Sequence, residues 1–125
     1  MVEYRFRKLI AWQKAMELAV LVDEMADGLR GRDRASLADQ MRRAAASIPA
    51  NIAEGNGRSH RGDYLRFLSI ASGSLAELDT LLEFVSRRGL VPRDSLPLAF
   101  DLASQTGRLL TRLTQALQKP PSPAL

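Results

Sequence analysis

The segment from Gln40 to Gly55 constrains this chain more than any other, because it has helical spacing and almost no polar face. Leu37, Met41, Ala44, Ile48 and Ile52 recur at the i, i+4, i+7, i+11, i+15 positions of one core stripe. Ala46, Ala50, Ala53 and Gly57 form a second stripe of small residues on roughly the opposite side. A helix that is apolar all round is buried all round. In a chain of 125 residues, that pattern calls for a helix packed against its own domain and also against another subunit. Pro49 lies inside the segment, where it removes one backbone hydrogen bond and crowds the carbonyl four residues back. The apolar period carries straight through it, so the expectation is a kink near Ala45–Pro49 rather than a break.

The remaining pattern is helical throughout. A first helix is expected over 9–29, with Leu9, Trp12, Met16, Ala19, Val22, Met25 and Leu29 buried and Gly28 and Gly31 bracketing its end. The second spans 33–55, with Asp33 or Ser36 as the candidate cap. Gly55-Asn56-Gly57-Arg58-Ser59 reads as a turn with open or left-handed backbone, and Ser59 as a cap for the next helix. The third helix, 60–88, carries Tyr64, Phe67, Leu68, Ala71, Leu75, Leu78, Leu82 and Val85 at bundle-seam spacing. Ser69, Gly73, Ala76 and Thr80 make a small-residue stripe on its far side. Folding the hairpin about residue 58 sets Ala44–Ser47 beside Ser69–Ser72 as the tightest contact. Gly89 ends the third helix, and Pro92, Asp94, Ser95 and Pro97 announce a fourth over 95–118. Its stripe is Leu102, Thr106, Leu109, Leu113 and Leu117, with Ala103, Leu110 and Ala116 alongside. Residues 1–8 read as an N-terminal arm and the Pro-rich 119–125 as a mobile tail. The fold class is all-α, an antiparallel up-down-up-down four-helix bundle.

Composition narrows the chemistry. There is no cysteine, so disulfides, thiolate metal sites and cysteine nucleophiles are excluded. His60 is the single histidine, which denies the chain the Glu-x-x-His pairs of a di-iron bundle and the ligand set of a zinc site. Gly55-Asn56-Gly57 lacks both the third glycine of a dinucleotide fingerprint and the Gly-Lys-Ser/Thr ending of a P-loop. Ser72-Gly73-Ser74 has no neighbouring base and reads as packing. The expectation is a non-enzymatic protein with no catalytic residue, metal or cofactor. Neither a signal peptide nor a run of about 18 apolar residues is present, which points to the cytoplasm.

The net charge is +4, carried almost entirely by arginine, since Lys8, Lys14 and Lys119 are the only lysines. Arg42 and Arg43 project from the second helix away from its core stripe; Arg58 and Arg61 flank the turn, and Arg66 lies on the outer side of the third helix. Arg5, Arg7 and Lys8 alternate with Tyr4 and Phe6. Arginine beside aromatics is the footprint of phosphate contact and base stacking. The candidate nucleic-acid residues are therefore Arg42, Arg43, Arg58, Arg61 and Arg66. Arg42 and Arg43 could alternatively belong to a subunit interface. The candidate oligomer interface is Ala46, Ala50, Ala53, Gly57, Ser69, Gly73, Ala76 and Thr80. Gln40, Asn51 and Glu54 form a structural polar set, with Asn51 and Glu54 expected to bond Arg43 or Arg58 and so fix the turn.

The pattern Gln40-x-Arg42-Arg43-Ala44-Ala45, then Ser47-Ile48-Pro49-x-Asn51-Ile52-Ala53-Glu54-Gly55 and Arg58, resembles the four-helix-bundle family of 23S rRNA intervening-sequence proteins. Asp63-Tyr64, Phe67-Leu68, Ile70-Ala71 and Gly73-Ser74-Leu75-x-Glu77-Leu78 continue the resemblance, with Trp12-x-x-Ala15 upstream. It runs from about Phe6 to Gly89 and is faint from Leu90 on. The resemblance implies a bacterial homopentamer, in which a ring would concentrate each subunit's arginines into a basic rim. The family's association with rRNA genes implies structured RNA as a partner. Its similarity to accessory proteins of diversity-generating retroelements implies a reverse-transcriptase partner, while the arginine surface itself suits structured RNA or DNA alike. A protein-interaction scaffold without nucleic-acid binding is the competing reading, and an enzyme formed at a subunit junction is a third.

Overall fold

The computed structural model describes residues 5–29 and 34–119. Four α-helices make up nearly all of them, and no strand occurs among the described residues. They are α1 (Ile10–Asp27), α2 (Arg34–Asn56), α3 (Arg61–Arg88) and α4 (Leu96–Gln118), with short 3-10 turns at Arg5–Lys8 and Arg93–Ser95. No helix among the described residues is long and apolar enough to cross a membrane. Asp33, Gly31 and the tail beyond Lys119 lie outside the described residues.

Each helix starts and stops for a local reason. Leu9 is extended and ends the 3-10 turn, and α1 closes at Gly28, whose N–H donates to the Met25 carbonyl while the Leu29 N–H donates to that of Ala26. α2 is unbroken through Pro49, which is buried. α3 begins after the extended His60 and ends at Gly89. There φ is +64°, a left-handed backbone that glycine adopts without strain, and the Leu90 N–H bonds the Val85 carbonyl at 2.9 Å. Asp63 in the first turn and Arg87 and Arg88 in the last complement the α3 dipole. Pro97 is tolerated in the first turn of α4, where its missing N–H has no helical partner to lose.

α1 packs on α2 and α4, and α3 packs on the same two helices; the α2–α3 contact is the most extensive. The core they share holds Leu18, Val22, Met41, Ile48, Ile52, Leu68, Leu78, Leu82, Val85 and Leu110, all essentially inaccessible. Thr106 is the buried polar residue among them, and its Oγ1 donates to the Leu102 carbonyl at 2.7 Å. All five core residues expected on α2 are buried.

Several details differ from the sequence expectation. The α1 stripe is rotated: Ala11, Ala15, Leu18, Val22 and Met25 face the core, Trp12 and Ala19 are half-buried, and Met16 is 37% exposed. Ala116 faces solvent on α4. α2 continues through Asn56, so Gly55 is a buried helical residue, and among the described residues only Gly89 has a positive φ. Neither Ser36, inside the first turn of α2, nor Ser59 caps a helix; α3 starts from His60 with no side-chain cap. Because α2 is longer than expected, the α2–α3 hairpin pivots later than residue 58. Ser47 therefore meets Ser74, their hydroxyls 2.7 Å apart, rather than Ser69–Ser72. A close approach lies at Gly55, where a Cβ would stand 2.9 Å from both Phe67 Cβ and Tyr64 Cδ1.

Candidate nucleic-acid interface

The five arginines singled out by the sequence fall into two settings. Arg42 turns toward α1. Its Nε donates to Asp23 Oδ1 at 2.8 Å and its Nη2 to Asp27 Oδ1, so one guanidinium spans two carboxylates a helical turn apart. The hydrogen bond to Asp23, with the charges of both aspartates and the bond to Asp27, holds its pKa above the ordinary arginine value against the opposing effect of burial. With two of its three guanidinium nitrogens bonded to carboxylates of α1, Arg42 is a tie between helices rather than an open phosphate contact. Arg43, next to it, is exposed.

Arg58, Arg61 and Arg66 gather where α2 ends and α3 begins. Arg58 pairs with Glu54 one turn back and stacks over Phe67, its Cζ 5.0 Å from the ring centroid. Arg66 covers the same ring at 4.5 Å. Phe67 thus orders two guanidinium groups that would otherwise sample many rotamers. Arg61 Nη1 donates to the Lys119 carbonyl at 3.1 Å, bringing the end of α4 beside the start of α3.

The N-terminal 3-10 turn completes this end. Gln13 Nε2 donates to the Arg7 carbonyl at 2.9 Å, the Phe6 and Trp12 rings meet edge-on at 5.2 Å, and Arg7 stacks against both. The turn is thereby held against α1 and faces the last turn of α2, leaving an open cleft of about 920 Å³ lined by Arg5, Phe6, Ala50, Ala53, Glu54, Asn56, Gly57, Arg58 and Ser59. A second concavity of about 460 Å³ shares Arg5, Asn56, Arg58 and Ser59 with it and adds Leu9, His60, Arg61 and Tyr64. Asn56 Nδ2 donates to Tyr64 Oη at 3.2 Å across that shared wall. Arg5, Asn56 and His60 were not among the sequence candidates; the alternation Arg5-Phe6-Arg7 was the available signal, but nothing local says that the arm folds back onto α2.

The polar set is only partly as expected. Glu54 does bond Arg58. Asn51 instead donates to the Ser47 carbonyl at 2.7 Å and to its hydroxyl at 2.9 Å, and that hydroxyl meets Ser74. This relay joins α2 to α3 away from the turn. Gln40 is exposed and makes only a long 3.4 Å contact with Ser36 Oγ.

Of the small residues expected at a subunit contact, Ala46, Ala50, Gly57, Ser69, Gly73, Ala76 and Thr80 are exposed and Ala53 is half-buried. A Cβ at Gly73 would meet nothing within 4 Å, so no neighbour in the chain itself calls for glycine there. Ala46, Pro49, Ala50 and Ala53 form one wall of a 490 Å³ groove whose other wall is Trp12, Met16, Ala19 and Val20 of α1. Val20 is 53% exposed there, and the apolar surface runs on across α1 to Leu98, also 53% exposed. Among the described residues, no three His, Asp or Glu side chains converge as metal ligands.

Comparison with known proteins addresses the family directly. The chain is similar in structure to a protein of unknown function from the S23 ribosomal protein family of Bacteroides thetaiotaomicron VPI-5482, at 23% identity and a TM-score of 0.77. The likeness covers 85% of this chain and 99% of that one, and at this identity it concerns the fold alone. No curated protein matches the sequence. The model of the family described as 23S rRNA-intervening sequence protein matches residues 7–112, reaching well into α4, where the sequence resemblance was faint. The chain therefore belongs to the 23S rRNA-intervening sequence protein family.

Proposed function

We propose that this chain is a non-enzymatic, cytoplasmic, self-assembling up-down-up-down four-helix bundle that binds structured RNA or DNA. A nucleic-acid enzyme such as a reverse transcriptase would be engaged through the same assembly. The observation that carries this reading is the gathering of arginines and aromatics around the α2–α3 turn. In the up-down-up-down arrangement, Arg5, Arg7, Lys8, Arg58, Arg61, Arg66, Arg108, Arg112 and Lys119 lie toward one end of the bundle, with Glu54 and Asp63 interspersed. Asp23, Glu24, Asp27, Asp39, Glu77, Asp79, Glu83, Asp94 and Asp101 lie toward the other, where Arg34, Arg42, Arg43, Arg87, Arg88 and Arg93 offset much of their charge. Such a separation turns a modest net charge into a strongly basic pole, and a homopentameric ring repeats that pole around its axis.

Within this reading Arg58, Arg61 and Arg66 contact phosphate, Arg43 contributes from the flank, and Arg42 acts through the α1–α2 contact. The test is fluorescence-anisotropy binding of nuclease-treated protein to a structured rRNA hairpin at about 50 and about 200 mM salt, an interval over which several phosphate contacts lose orders of magnitude in affinity. Arg61→Glu with Arg66→Glu should abolish binding while the helical signal and the assembly persist. Binding that survives both reversals, or that ignores salt, overturns the assignment.

A second reading, a protein-interaction scaffold, is favoured by the apolar groove of Trp12, Met16 and Val20. It predicts insensitivity to the arginine reversals. Self-assembly through the outer faces of α2 and α3 is common to both readings. Ala50→Glu or Gly73→Leu should reduce the assembly to monomers in light scattering, and an unchanged mass would rule out those faces.

A further inference from the structure

We propose that the two-lobed cleft between the N-terminal 3-10 turn and the α2–α3 turn is a site for unpaired nucleotides, so that the nucleic acid is engaged through a single-stranded stretch. The inference rests on the nucleic-acid reading above and names the form of ligand that the site accepts.

The geometry separates single from double strands. The two lobes, about 920 and about 460 Å³, meet at a wall made by Arg5, Asn56, Arg58 and Ser59. Phe6 lines the larger lobe and Tyr64 the smaller, so each has a cationic side and an aromatic side. A duplex keeps its bases stacked inside and can only lay phosphates across the rim. An unpaired segment can put a phosphate on the wall and a base into each lobe, and that pairing of basic groove with stacking platform is how single strands are held without sequence preference. Volumes of this size suit a nucleotide-sized ligand.

The charges are also ordered in advance. Arg58 is fixed between Glu54 and the Phe67 ring, so it is positioned but partly neutralised. The uncompensated positive charge on the wall and its margin comes from Arg5 and Arg61, which have no carboxylate partner among the described residues. Reversing those two should therefore affect the ligand more than the fold.

The experiment measures binding of the full chain to a labelled thymidine oligonucleotide of about 12 nucleotides, to a blunt duplex of the same length and to the structured rRNA hairpin, all at about 50 mM salt. The single strand is expected to bind at least about tenfold more tightly than the duplex, since only it offers free bases for stacking. Arg5→Glu with Arg61→Glu should remove that advantage. Arg88→Glu with Arg93→Glu, the same charge change near the other end of α3, should alter single-strand affinity by no more than about twofold. Phe6→Leu, checked for an unchanged melting temperature, should weaken the single strand and leave the duplex unaltered. Duplex binding equal to or tighter than single-strand binding overturns the inference, as does equal weakening by the two charge reversals. Hairpin binding without single-strand binding overturns the inference alone. Absence of binding to all three overturns the nucleic-acid reading with it.

Discussion

Gly55 leaves no room for a side chain. Its missing Cβ is what lets the end of α2 lie against the backbone of α3 at Tyr64, where a Cβ would stand 3.3 Å from the carbonyl oxygen, and against Phe67. Gly55→Ala should destabilise the protein by about 1–3 kcal/mol, the usual cost of overpacking a close contact, seen as a lower urea midpoint. Gly73→Ala tests the converse: with open space around it, the change should stabilise the isolated chain by about 0.5–1 kcal/mol through helix propensity. From sequence, both glycines read as small residues, Gly55 in a turn and Gly73 on a stripe; which one was sterically required depended on a register that only tertiary packing sets. The Ser47–Ser74 bond was hidden for the same reason. A double-mutant cycle of Ser47→Ala and Ser74→Ala should return a coupling of about 0.5–1.5 kcal/mol, the net value of one hydrogen bond between neutral groups.

At the scale of elements, periodicity was a sound guide wherever one face of a helix met one core. The α2 stripe is buried as its spacing suggested, and so are Leu68, Ala71, Leu78, Leu82 and Val85 of α3. α1 was less legible because it is apolar on adjoining faces, so Met16 and Val20 fit a stripe as well as Ala15 and Leu18 do, and only the position of α2 and α4 decides between them. The tie at Arg42 was equally invisible, since its partners lie on another helix. On the alkaline side, a pKa raised above the ordinary arginine value means that this tie's contribution is fully present below that value and is lost only as pH rises through the still higher folded value. The melting-temperature gap between wild type and Arg42→Gln should thus stay level from about pH 7 to about pH 10. It should narrow with added salt, because the pair is partly exposed.

Considered whole, the proposed bundle has unlike ends, and the arm folded over the end of α2 belongs to the basic one. That pole was only half legible in sequence: the arginines could be counted, but their common location depended on the chain direction of each helix and on the fold-back of Arg5–Lys8. A molecule built this way behaves as a bar magnet does. Copies meet most favourably head to tail, and a head-to-tail contact along an axis never closes on itself. At low ionic strength the protein is therefore expected to string into columns. Those columns should scatter light at about 10 mM salt and disperse near 0.2 M, as the Debye length falls below about 10 Å.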